Sequence, residues 1–196
     1  MQAKLIVGVV GMFGLMGCAT TGSAVGAFDA HGVAMAQAQG VRVGEARVVD
    51  THINPRVPVR LTAENGALAI RFGRPGTVGA LVYLNAESLT PVSAEKRVEA
   101  EPPSAPATAA VRVALGAGRF VECWRRGSME SGYQLMAQAR TADGSPLGQP
   151  VVVSPTDSDV LGAPKLVRID DEHAVATFAA TLGDRFELLA VPLEVL

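Results

Sequence analysis

Apolar and polar residues alternate along most of this chain with a period of two. Leu68, Ile70 and Phe72 share one parity, as do Ala174, Ala176 and Phe178, and in Phe120–Trp124 the bulky aromatics again fall on one parity. Alternation of that kind puts every second side chain on one face of an extended strand. After Gly17, no window of 12 or more residues shows a clean 3.6-residue period with caps. Ala19–Gln39 is ambiguous, and its glycines argue against a helix. The pattern predicts an all-β chain.

The alternation also repeats at long range. Pro58–Phe72 (PVRLTAENGALAIRF), Ala110–Trp124 (AVRVALGAGRFVECW) and Pro164–Phe178 (PKLVRIDDEHAVATF) align without gaps as strand, turn and strand. The closing aromatics Phe72, Trp124 and Phe178 lie 52 and 54 residues apart. A second pair of matches follows the same cyclic order: MAQAQ at Met35–Gln39 against MAQAR at Met136–Arg140, and VGEA before RVVD against LGQP before VVVS. A fixed period of this size signals a repeated supersecondary unit.

The middle copy shows the unit most fully. Strands are predicted at Val111–Leu115, Arg119–Arg125, Tyr133–Arg140 and Gln149–Ser154, joined by Gly116–Gly118, the loop Arg126–Gly132 and the turn Thr141–Ser145. That last turn carries Asp143-Gly144, a strong hairpin signal. The result is an antiparallel four-stranded meander that buries its faces only by stacking on copies of itself. Two strands before Thr51, four from Val57 to Val98, four from Val111 to Ser154 and three from Leu166 to Val195 make about 13. Closed propellers usually hold four or more four-stranded blades. The expectation is therefore a propeller-like array, three-bladed or incomplete, with a sandwich of the same meanders, or a ring completed by another subunit, as alternatives. The partial units at the two ends are suited to pair with each other and complete one composite blade.

Composition narrows the function classes. Hydrophobic residues make up 48% and charged residues 18%, which describes a folded chain. The net charge of −2 is spread over interspersed acids and bases, which gives no case for nucleic acid and no polybasic patch for anionic lipid. Residues 95–109 (EKRVEAEPPSAPATA), richest in proline from about 99 to 109, read as a linker inside the repeat domain, 33–196.

A search for chemistry returns little. His31, His52 and His173 show no ligand spacing, so neither a metal nor any other cofactor is expected. Asp157-Ser158-Asp159 lacks the glycine and downstream glutamate of a calcium loop and reads as a connection. Asp170-Asp171-Glu172-His173 aligns with the glycine turns of the other copies and reads as a hairpin turn. Gly127–Gly132 holds Ser128 and Ser131 but no nucleophile elbow. The glycines of Gly73–Gly79 lack the Lys-Ser/Thr of a phosphate loop, although Arg71 and Arg74 stand nearby and could meet an anion. Trp124-Arg125-Arg126 is too small a cluster to mark a base-stacking surface. Cys123, between Glu122 and Trp124, reads as a small packed hydrophobe. No catalytic residues are expected.

The amino-terminal segment carries the clearest resemblance. Lys4 precedes the apolar run Leu5–Leu15, too short to span a bilayer, and Leu15-Met16-Gly17-Cys18 resembles the lipobox of bacterial lipoproteins. Met16 stands where Ala, Ser or Thr is commoner. The resemblance implies a signal peptide at 1–17 and acylation of Cys18, with 18–32 as a lipidated tether. About 179 residues would remain, with Cys123 their one unmodified cysteine and so no intramolecular disulfide. Two or more acyl chains suffice for stable anchoring. Ala19 in place of aspartate resembles the outer-membrane class.

The repeat, in turn, resembles the blades of β-propeller-like repeat lipoproteins of high-GC diderm bacteria. Trp124, Ala139-Arg140, Asp143-Gly144, Pro146-Leu147-Gly148 and Pro150 stand at the positions of their typical line. The likeness covers Ala110–Leu196 well and Val33–Val98 more loosely, and it carries architecture without chemistry. Together these readings lead us to expect an outer-membrane-anchored, non-enzymatic scaffold or binding module, with its domain in the periplasm or on the cell surface. Its expected partners are the membrane, through lipid, and an envelope protein or glycan, with homo-oligomerisation open. The alternatives are an assembly factor or pilot of a trans-envelope secretion, pilus or motility machine, and an envelope hydrolase whose site is built from distant loops.

Overall fold

Thirteen strands form among the residues that the computed structural model describes, 40–76, 78–99 and 110–196. In chain order they are β1 (Val41–Val43), β2 (Arg47–Asp50), β3 (Arg60–Glu64), β4 (Ala67–Gly73), β5 (Val78–Asn85), β6 (Lys96–Glu99), β7 (Val111–Ala114), β8 (Arg119–Ser128), β9 (Gly132–Thr141), β10 (Pro146–Val152), β11 (Ser158–Arg168), β12 (His173–Leu182) and β13 (Arg185–Val195). The predicted grouping of two, four, four and three strands is found among the described residues, although the MAQAQ match at Met35–Gln39 lies outside them and β1 and β2 both fall after it. The ends shift: β8 and β9 run through most of the loop expected at Arg126–Gly132, and β11 begins at Ser158 rather than near Leu166. Long antiparallel ladders carry the chain close to its turns, leaving only three residues, 129–131, between β8 and β9.

The strands make three antiparallel sheets. β3–β6 form one and β7–β10 another, each in chain order. The third is composite: β11, β12 and β13 are completed by β1 and β2, which both pair with β13. The two chain ends therefore complete one blade, as the repeat count suggested. β1 and β2 together take the place of β10, and each fourth strand is interrupted. Val43 faces Leu193 and Arg47 faces Ala190; the β10 ladder shifts between Leu147 and Val151; the β3–β6 sheet has a bridge from Leu84 to Pro91 before Leu81 meets Lys96. A bulge inserted at the same place in each unit re-aims its outer strand.

The composite sheet lies in the middle. Ala174, Ala176, Phe178, Leu189, Val191 and Leu193 pack with Val121, Cys123, Leu135, Ala137 and Ala139 of the β7–β10 sheet. Val175, Ala179, Leu188 and Ala190 pack on the other side with Leu68, Ile70, Phe72, Val82 and Leu84 of the β3–β6 sheet. Burial on both faces explains why β12 and β13 read as nearly continuous apolar runs rather than alternating ones. Burying a side chain the size of Phe178 contributes about 1.5–3 kcal/mol. The three sheets stack in a line and do not close a ring.

This stacking corrects one reading of the pattern. In β8 the buried residues are Val121 and Cys123, both 0% exposed, while Phe120 and Trp124 occupy the opposite, half-buried face. The repeat register is intact. The face carrying Phe72 packs on the central sheet, the face carrying Phe178 packs on the β7–β10 sheet, and among the described residues no further sheet packs on the face carrying Trp124.

Polar latches fix both joints. The Tyr133 N–H donates to Asp159 Oδ1 at 2.7 Å and Arg125 Nη1 donates to the Val160 carbonyl at 3.2 Å. At the other joint Arg74 bridges Asp50 and Glu95, and the Asn54 N–H donates to the Gly73 carbonyl at 2.8 Å.

Candidate functional site

The outward face of the β7–β10 sheet gathers the most unusual set of side chains among the described residues. Ladder register places Trp124 opposite Met136, Glu122 opposite Gln138, Phe120 opposite Arg140 and Arg126 opposite Gln134. Arg112, opposite Glu122 on β7, joins the same face. Its centre is a charge network: Arg140 Nε donates to Glu122 Oε2 at 2.9 Å and Arg112 Nη2 to Glu122 Oε1 at 3.4 Å. Arg140 also donates to the Gly144 carbonyl at 2.9 Å, and Gln138 to the Gly148 carbonyl at 2.9 Å. The Arg112 guanidinium lies 5.1 Å from the Phe120 ring centre, within cation–π range.

Glu122 is thus saturated by two arginines, while Arg126, beside Trp124, is exposed and has no ion-pair partner among the described residues. With three arginines against one carboxylate, the face is cationic around a half-buried aromatic. Trp, Tyr and Arg are the residues that most often dominate binding at protein interfaces. What the arrangement can do chemically is bind; it holds no nucleophile paired with a base.

The residues singled out in the sequence are placed as follows. Cys18 and His31 lie outside the described residues, as do residues 100–109 of the expected linker. Cys123 is buried, and burial, followed by the charge of Glu122, pushes its thiol up to about 12. His52 Nδ1 lies 3.1 Å from Thr51 Oγ1. Asp170–Glu172 forms the β11–β12 hairpin turn: Asp170 Oδ1 accepts from the backbone N–H groups of Glu172 and His173, both at 2.8 Å. Those bonds, that of Glu172 first, hold the Asp170 carboxyl below its ordinary range, and its Oδ2 lies 2.8 Å from His173 Nδ1. Asp143 is likewise lowered, chiefly by the Thr141 hydroxyl, in the turn expected at Thr141–Ser145.

Of the stretch expected as a connection, only Asp157 lies in a turn; Ser158 and Asp159 begin β11, paired with Leu182 and Thr181, and Asp159 serves the joint described above. Ser128 and Ser131 bond each other at 3.0 Å in a hairpin tip. Arg74 does not await an anion, because Asp50 and Glu95 already hold it, and Arg71 donates to the Glu99 carbonyl at 2.7 Å. No group of three His, Cys, Asp or Glu side chains converges as a metal site among the described residues. No helix among them is long and apolar enough to cross a membrane.

No family model matches the chain, and no curated protein does. Among solved structures it is similar to a protein of unknown function from Dyadobacter fermentans, at 14% identity with a TM-score of 0.36. The match covers 74% of this chain and 41% of the other, so the chain spans less than half the length of that structure.

Proposed function

We propose that this protein is a lipid-anchored binding module of the bacterial outer membrane, acting without catalysis. Cys18 would carry the acyl chains, and the outward face of the β7–β10 sheet would engage an acidic protein or glycan of the envelope. The observation that carries this reading is Trp124. It stands at the repeat position whose counterparts Phe72 and Phe178 are buried at 2% and 1% exposure, yet it lies on a face that no further sheet among the described residues covers, next to Arg126, which has no ion-pair partner among them. A tryptophan and an arginine side by side on an otherwise saturated polar face suit a desolvated contact with an acidic partner.

The test has two parts. Labelled palmitate should enter the wild-type protein and not the Cys18→Ala variant, and the label should fractionate with the outer membrane. In-cell crosslinking followed by mild detergent extraction should recover a partner with wild type, and much less with Trp124→Ala/Arg126→Ala at equal abundance. Absence of label overturns the anchor. Recovery unchanged by the double substitution overturns the face.

A further inference from the structure

Met129 is the least covered large apolar side chain among the described residues, 93% exposed where the next, Val92, is 54%. It stands at the tip of the β8–β9 hairpin, in the three residues between the strands. The tip is cross-tied. The Ser128 N–H donates to Ser131 Oγ at 3.1 Å, and the Ser131 N–H donates back to Ser128 Oγ at 3.2 Å. Beneath it Gly127, at φ 142°, lets the ladder close: a Cβ there would lie 2.0 Å from the Gly132 carbonyl oxygen. The base of the hairpin is fixed to the central sheet through the Tyr133 N–H and Asp159. A tip ordered in this way loses little freedom when it binds.

A single exposed apolar residue is ordinary. What gives this one a direction is the strand that carries it. Trp124, Arg126 and Ser128 alternate on the outward face of β8, and Met129 follows them within about 17 Å of Trp124. Arg126 and Glu130 are both exposed, and neither has an ion-pair partner among the described residues. The hairpin therefore presents, in order, a half-buried aromatic, a free cation, an apolar tip and a free carboxylate.

We propose that this tip is the part of the docking face that makes its partner a protein. Met129 enters an apolar pocket whose rim carries a carboxylate against Arg126 and a cation against Glu130. The proposal rests on the reading of the Trp124 face given above and narrows it. A thioether on three rotatable bonds fills irregular apolar pockets, and a glycan surface dense in hydroxyls offers none. Glu130 beside Met129 also sets the tip against an anionic lipid surface.

The experiment puts the photoreactive residue p-benzoylphenylalanine into the full-length protein in cells, at one position at a time. The positions are Met129, Arg126 and, as a control on another exposed turn, Asp184. We expect the same adduct from positions 129 and 126, with none from 184, and its added mass should be peptide. With the partner so identified and purified, Met129→Gln should weaken binding at least about tenfold, the loss expected when a buried methionine side chain is replaced by a polar one. Met129→Leu should weaken it less than about threefold, because an apolar side chain of similar size remains. An adduct at 126 without one at 129 overturns the tip and leaves the Trp124 face standing. An adduct of glycan or lipid at 129, or equal affinities of the Leu and Gln variants, also overturns it. No adduct at either position overturns both the tip and the face.

Discussion

Val43 stands directly across the ladder from Leu193, so a strand near the beginning of the repeat domain and its final strand share one sheet. The pairing joins the ends of the meander array and places the composite blade between the two complete ones. Arg42 and Glu194, the next pair in the register, also form an ion pair at 2.8 Å. Facing residues in an antiparallel ladder have Cα atoms about 4.5–5.5 Å apart, within disulfide range. Arg42→Cys/Glu194→Cys in a Cys18→Ala background should therefore oxidise quantitatively. The closed loop spans 152 positions, and the chain-entropy model gives about 5 kcal/mol for so long a loop. Thermal melts with and without reductant, alongside thiol counting, check it; thiols that stay free would mean that β1 does not pair with β13.

Arg74 links the β3–β6 sheet to Asp50 on the central sheet, and Asp50's side chain is only 8% exposed. Its hydrogen bond to Asp50, chiefly, raises the arginine's already high pKa, so the guanidinium stays charged throughout the usual pH range. Removing Arg74 would leave the largely buried Asp50 carboxylate with the His52 N–H but without its cation. Arg74→Met should cost roughly 1–3 kcal/mol, between the values for exposed and fully buried pairs. Asp50→Asn combined with Arg74→Met should recover part of that loss. Chemical denaturation of Arg74→Met, Asp50→Asn and the double variant measures the coupling, and additive losses would show that the latch is not an interacting pair.

Cys123 supplies a pH signature. Its thiol is pushed up to about 12 in the fold, from an ordinary value of 9.0. Between those values the unfolded chain loses a proton that the folded chain keeps, so stability is complete below about pH 9 and falls as pH rises. The slope approaches about 1.4 kcal/mol per pH unit. Cys123→Ala should remove this component of the alkaline decline. In wild type the thiol should resist a maleimide until denaturant is added, because the neutral buried thiol is a poor nucleophile. Prompt labelling of the folded protein at pH 8 would contradict the burial.

Strand count, repeat boundaries and the pairing of the two ends were legible because each rests on local chemistry. Asp143-Gly144 and Asn65-Gly66 mark turns wherever they occur, and Leu68-Ala69-Ile70-Arg71-Phe72 alternates regardless of its neighbours. Which face of a strand turns inward is not local. Phe120 and Trp124 look as core-like as Leu68 and Phe72, and only the position of their sheet at the end of the stack turns them outward.

Phe72, Trp124 and Phe178 occupy one repeat position, and the order of the stack predicts that they differ in energy. Phe72 and Phe178 fill the two layer interfaces, so replacing either with alanine leaves a cavity and should cost about 3–5 kcal/mol. Trp124 covers the outward face opposite Met136, so Trp124→Ala should cost only about 1 kcal/mol, by the area of ring it exposes. The same substitution should remove most of the partner captured in the crosslinking experiment, whereas Phe178→Ala should reduce capture only in proportion to the protein that unfolds. Denaturation midpoints of the three variants, set beside their capture yields, separate packing from binding. If Trp124→Ala proved as destabilising as Phe178→Ala, the outward face would be part of the core and the proposed docking surface would be lost with it.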